Sequence, residues 1–275
     1  MTPDAAAVRA RLDARAARAA RLAGERPAGA EVLRFYAQVA TIQRRLIDDV
    51  GRLLPPGRAT VAFAAALDAE TVAARLPAVV TDLQRVAPAG VAARLDALGA
   101  IGREVWASIC AARWAAPAAA GADVASVVAE IALQPVAELW ASARATPAPA
   151  PARGAEATRC PSCAAPALVA RLDERGHGAA RALVCGFCAT RWDIPRAVCP
   201  HCGETRVEAL PVFRDGDGPA VRIDACDSCR VYVKAVDLTV DGHAEPVVDD
   251  LATLPLDLWA ADQGYRRLRP NLLRV

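Results

Sequence analysis

The chain has 275 residues, a formal net charge of +2 and 54% hydrophobic residues, much of that alanine. Its length has room for two domains, or for one large domain with appended modules. The near-neutral charge gives no support to a nucleic-acid binder or an acidic tail, and no stretch reaches the roughly 18 uncharged apolar residues of a membrane span.

In the N-terminal stretch MTPDAAAVRARLDARAARAARL, arginine recurs every third or fourth position and no apolar signal core is present. It reads as a solvated helix face, with a docking face for an acidic segment as the sharper alternative, and not as a secretory signal. From Glu31 to Leu54, Val32, Phe35, Tyr36, Val39, Ile42, Leu46, Ile47 and Val50 recur at three- and four-residue steps, which predicts an amphipathic helix ended by Leu54-Pro55-Pro56-Gly57. Further helical patterns span 68–86, 91–113 and 123–143. Asp123 suits an N-cap for the last of these, and Pro135 is expected to kink or split it. Cys110, following Trp106 on a helix, reads as a small buried hydrophobe. Residues 1–145 are thus expected to form an all-α domain. Residues 146–157 (TPAPAPARGAEA) read as an extended Pro/Ala-rich linker.

Beyond the linker the pattern changes. Eight of the nine cysteines fall into four Cys-x-x-Cys pairs: Cys160/Cys163, Cys185/Cys188, Cys199/Cys202 and Cys226/Cys229. Two intervening residues let one tight turn aim both sulfurs at a single metal ion, and two such turns complete a tetrahedral shell. Sequential pairing leaves 21 residues between knuckles in one group and 23 in the other, a good length for one hairpin each; interleaved pairing stays open. The predicted hairpins are 168–172 with 179–184, and 206–213 with 219–225. Val231 to Val240 alternates like one more strand, and Asp249 to Tyr265 reads as a closing helix with Leu251, Leu254, Leu258 and Trp259 on its apolar face.

The fold class expected is α+β: an all-α domain, two small rubredoxin-like or zinc-ribbon four-cysteine units at 158–198 and 199–245, and a C-terminal helix and tail at 246–275. Modules this small cannot bury enough apolar surface alone, so bound metal would supply the missing stability. Four thiolates suit zinc or a rubredoxin-type iron equally. Paired thiols without an export signal read as reduced ligands in cytoplasm. His201, inside a knuckle, reads as shaping hydrogen bonds or meeting solvent, and His177 and His243 as surface turns. The single lysine, Lys234, reads as a composition habit and carries no functional meaning. Catalysis has no visible machinery, and no phosphate-binding glycine loop appears.

The helical first half, the four knuckles, the stretch Cys185-Gly-Phe-Cys188-x-x-x-Trp192-x-x-x-Arg196-x-x-Cys199-Pro-His-Cys202-Gly203 and the tail DLATLPLDLWAADQGYRRLRPN (250–271) together resemble the formate dehydrogenase accessory protein family, FdhE. The first knuckle departs from the pattern: Ala164 stands where glycine often follows the second thiol. The resemblance implies a cytoplasmic maturation factor that binds the catalytic subunit of formate dehydrogenase before export and is not itself an enzyme. It also implies two rubredoxin-like units in which the eight knuckle cysteines hold two ions, iron or zinc. The client-binding surface is expected in the groove between the ribbons and the helical domain, with an exposed tail helix and Trp192 nearby.

Two other functions compete. A redox protein could use rubredoxin-like iron or the Cys-x-x-Cys dithiols, although thioredoxin-like chemistry needs a reactive thiol at a helix N-terminus and these pairs sit in hairpin knuckles. A nucleic-acid-binding ribbon is disfavoured by charge, because residues 160–244 hold ten Arg/Lys against eleven Asp/Glu before any thiolate is counted.

Overall fold

The computed structural model describes residues 4–53, 61–119, 121, 123–144, 158–175, 178–216 and 220–275. The breaker run 54–57, the 146–157 linker and His177 lie outside them. The chain divides into two compact units: Met1–Thr146 with Leu272–Arg274, and Pro147–Asn271 with Val275.

The first unit is helical. Its elements are α1 (Ala5–Glu25), α2 (Ala30–Leu53), α3 (Phe63–Ala66), α4 (Ala69–Ala73), α5 (Leu76–Val86), α6 (Ala89–Asp96), α7 (Arg103–Ala115) and α8 (Val124–Ser142). The 68–86 pattern is two helices, because Pro77 in the first turn of α5 has no N–H with which to continue α4. The 91–113 pattern is also divided, by a 3₁₀ turn at Ala97–Ala100 and by Gly102, the N-cap of α7.

Helix α8 is packed by α1, α2, α5 and α7, and Val128 through Trp140 are all buried. It is long and apolar enough to cross a membrane by length and composition, yet 72% of that window is buried within the protein, as in a core helix. Asp123 caps it through Ser126 N–H at 2.8 Å. Pro135 does not split it. A proline leaves the carbonyl four residues earlier without a helical donor, and here Gln43 Nε2 donates to Ile131 O at 3.0 Å. Gln43, on the α2 face beside Ile42, is itself fully buried and also donates to Gln134 Oε1.

The expected solvated arginine face of α1 is corrected in part. Arg15 and Arg18 are buried, and Arg15 Nη1 meets Glu138 Oε1 at 2.5 Å. Glu130, the other acid of α8, is met by Arg113 at 2.9 Å and Arg274 at 2.5 Å. Buried carboxylates on an apolar helix need such partners.

The second unit is built on one seven-stranded sheet: β1 (Ala167–Arg175), β2 (Gly178–Cys185), β3 (Arg191–Asp193), β4 (Val212–Arg214), β5 (Val221–Cys226), β6 (Val231–Asp237) and β7 (Arg266–Arg267). The order is β3-β2-β1-β6-β5-β4, with β7 also on β6. Each hairpin is antiparallel, and β1 joins β6 in parallel, Val169 opposite Lys234 through Leu172 opposite Asp237. The two four-cysteine modules therefore share a single sheet. Residues 207–209 form a 3₁₀ turn, so the predicted strand at 206–213 shortens to β4.

β6 is buried at all seven positions. A strand covered on both faces reads as a continuous apolar run, not an alternation. The closing helix is two, α9 (Pro246–Leu251) and α10 (Leu254–Asp262), with Pro255 in the first turn of the second. Leu256, Ala260 and Tyr265 pack on Leu168, Val169, Val184, Ile223, Tyr232 and Val236, each large aliphatic or aromatic contributing roughly 1.5–3 kcal/mol on full burial. Leu258 and Trp259, expected on the buried face, are 69% and 36% exposed, whereas Trp192 is only 5% exposed.

Candidate metal centres

Each module places one knuckle ahead of its hairpin and the other where the second strand ends, at Cys185 of β2 and Cys226 of β5. The knuckles share a local design. Ala164, Ala189, Gly203 and Arg230 donate backbone N–H to the carbonyls of Cys160, Cys185, Cys199 and Cys226 at 2.8–3.2 Å. These turns bring the sulfurs together sequentially: Cys160, Cys163, Cys185 and Cys188 form one group, and Cys199, Cys202, Cys226 and Cys229 the other. All ligand atoms in a group lie within 4.8 Å of one another.

The spacing has chemical content. Cys160–Cys188 and Cys163–Cys185 sulfurs are 3.5 Å apart, and Cys199–Cys229 and Cys202–Cys226 are 3.7 Å apart. Disulfides would require about 2.05 Å. A tetrahedron with metal–sulfur bonds of about 2.3 Å has edges of about 3.8 Å. Both donor sets thus fit a tetrahedral thiolate-bound ion. Backbone N–H groups also point at sulfur, from Phe187 and Cys188 to Cys185 and from His201 to Cys199, at 3.3–3.5 Å; such donors stabilise negative charge on a thiolate.

Hydrogen bonds from Cys163, Cys185 and Cys188 hold the Cys160 thiol far below the ordinary thiol range. Burial raises Cys188 and Cys229 and pushes Cys199 up to about 11. Loading an ion would therefore displace protons. Cys110, outside both groups, is buried on α7, with its thiol pushed up to about 12 by burial. His201 also lies outside the sulfur groups, its Nε2 3.2 Å from Arg266 Nη2. His243 is exposed.

Reading the sequence missed several residues that build the site. Arg181 is buried and clamps the segment between the modules, donating from Nη1 to Val198 O at 2.8 Å while Nη2 meets Asp224 Oδ2 at 3.1 Å. Gly186 has no room for a side chain: an added Cβ would sit 2.9 Å from Leu168 Cβ and 3.0 Å from Arg269 Nε. Lys234 is fully buried in β6, its Nζ 2.6 Å from Asp257 Oδ2 and 3.2 Å from Asp250 Oδ1. Arg267 reaches both carboxylates, and Tyr232 donates to Asp257 at 2.6 Å. The signal was present in the chain's only lysine and in the charged positions of the 250–271 tail.

Residues 198–274 match the family model described as FdhE, C-terminal domain. The chain is 40% identical over 117 residues to the Protein FdhE homolog of Stutzerimonas stutzeri (strain A1501), covering 42% of this chain and 38% of that one. It is 34% identical over 115 residues to the homolog of Aquifex aeolicus (strain VF5), covering 42% and 41%. The matched stretches thus span less than half the length of these relatives. The crystal structure of the FdhE protein from Pseudomonas aeruginosa superposes with a TM-score of 0.72 and 26% identity over 96% of both chains.

The chain is similar to FdhE proteins.

Both sulfur groups lie in the sheet unit, and the tail that resembles FdhE proteins locks onto β6 through Lys234.

Proposed function

We propose that this protein is a cytoplasmic accessory factor for formate dehydrogenase, binding the catalytic subunit before export and turning over no formate itself. The observation that carries this reading is the similarity to the Pseudomonas aeruginosa FdhE structure over 96% of both chains. In the same reading Cys160, Cys163, Cys185 and Cys188 hold one ion and Cys199, Cys202, Cys226 and Cys229 a second, iron or zinc. The sulfur spacings support this. When bound, each ion staples two knuckles to a shared hairpin; the rest of the chain then presents a stable surface to the client.

The test is genetic and biochemical together. Formate dehydrogenase activity should fall in a strain lacking this gene and return with the intact copy. The tagged protein should retain the catalytic subunit, and the pure protein should reduce no dye with formate. Normal formate dehydrogenase activity in the deleted strain would overturn the reading. Metal analysis on protein purified without oxygen should find about two ions per chain, and thiolate-to-iron absorption would identify iron.

A further inference from the structure

The two sulfur groups are alike in geometry and unlike in exposure. No cysteine of the first group is more than 5% exposed. A hydroxyl pair also lies over it, with Thr190 Oγ1 3.1 Å from Cys188 Sγ and donating to Ser162 Oγ at 3.0 Å. In the second group Cys202 is exposed and Cys229 half-buried. Its two buried members, Cys199 and Cys226, line an open cleft whose other walls include Arg181, Arg196, Arg222 and Asp224. A small solute therefore reaches the second group from the side of Cys202 and Cys229.

Thiolate oxidation follows access and thiolate character. We propose that the second group is a peroxide-responsive thiol switch built beside a protected first group, an inference that rests on both groups holding an ion. Hydrogen peroxide is the oxidant. The Cys202 thiolate attacks one peroxide oxygen, the O–O bond breaks, hydroxide leaves and Cys202 becomes a sulfenic acid. The Cys226 thiolate, its sulfur 3.7 Å away, then attacks the Cys202 sulfur. A disulfide forms and a second hydroxide leaves. Two thiolates lose two electrons and the peroxide gains two. The second ion, stripped of two ligands, departs, and the first remains. A dithiol reductant and fresh ion reverse the change.

The experiment uses the full chain loaded with both ions, treated with hydrogen peroxide. A chromogenic chelator follows ion release, and differential alkylation with mass spectrometry locates oxidised cysteines. One ion per chain should leave about tenfold faster than the other, with a Cys202–Cys226 disulfide and with Cys160, Cys163, Cys185 and Cys188 still reduced. A brief iodoacetamide footprint of the untreated chain, which needs no variant, should label Cys202 first. Cys202→Ser, loaded likewise, should lose the fast phase. Simultaneous release of both ions, or earlier oxidation of the first group, would overturn the switch. Fewer than one ion per chain before peroxide would overturn the metal reading and the switch with it.

Discussion

The residue after the second cysteine of every knuckle has positive φ: 61° at Ala164, 55° at Ala189, 79° at Gly203 and 56° at Arg230. Only glycine adopts this conformation without steric penalty, so three of the four turns carry strain of roughly 1–2 kcal/mol. The knuckle persists because its hydrogen bonds over-determine it. Gly203→Ala should lower the melting temperature of the loaded protein by an amount equivalent to about 1 kcal/mol. Ala189→Gly should raise it by less, because glycine also enlarges the entropy of the unfolded chain. Calorimetry of the two variants checks both signs; an unchanged Gly203→Ala protein would show that the turn relaxes.

Helix α8 and strand β6 each contain a residue that local rules forbid, and in each a side chain from another element makes it tolerable. For Pro135 in α8 the partner is Gln43. Gln43→Leu should orphan the Ile131 carbonyl and destabilise the helical unit by about 1–3 kcal/mol, measured by denaturant unfolding. For Lys234 in β6 the partners are Asp250 and Asp257, with Arg267 closing the network. Burial alone would raise the Asp250 pKa; Arg267 and Lys234 outweigh it and hold the carboxyl below its ordinary 3.8. A depressed folded pKa gives stability that is fully present above the unfolded value and lost as pH falls through the folded one. The native chain should therefore melt above Asp250→Asn at neutral pH, with the gap narrowing only below about pH 4. Thermal melts of both chains from pH 7 to 3 test this, and a gap independent of pH would remove the electrostatic account.

At the scale of the whole molecule, the parallel β1–β6 pairing turns two knuckled hairpins into one sheet. Independent ribbons would melt separately, whereas a shared sheet should melt as one cooperative transition. Removing both ions with a chelator under reducing conditions should abolish that transition while the helical circular dichroism of the first unit persists, because structural thiolate sites supply folding energy outright. Two sheet transitions in the loaded protein, or loss of the helical signal on chelation, would contradict this reading.

The sequence by itself determined the helical half, the N-cap at Asp123 and the four knuckles, because thiol spacing, caps and helical periodicity are local signals; it left sequential and interleaved pairing of the knuckles open, and the fold chose the first. It did not reveal the joined sheet, since β1 and β6 are more than fifty residues apart and strand pairing leaves no mark on either strand alone. Nor could it tell the buried arginines of α1 from exposed ones, or give Lys234 a role, because a buried charge is defined by partners that only the fold brings near. The difference in exposure between two sulfur groups of the same local design is likewise tertiary. The same Cys-x-x-Cys turn is covered or open according to what packs over it.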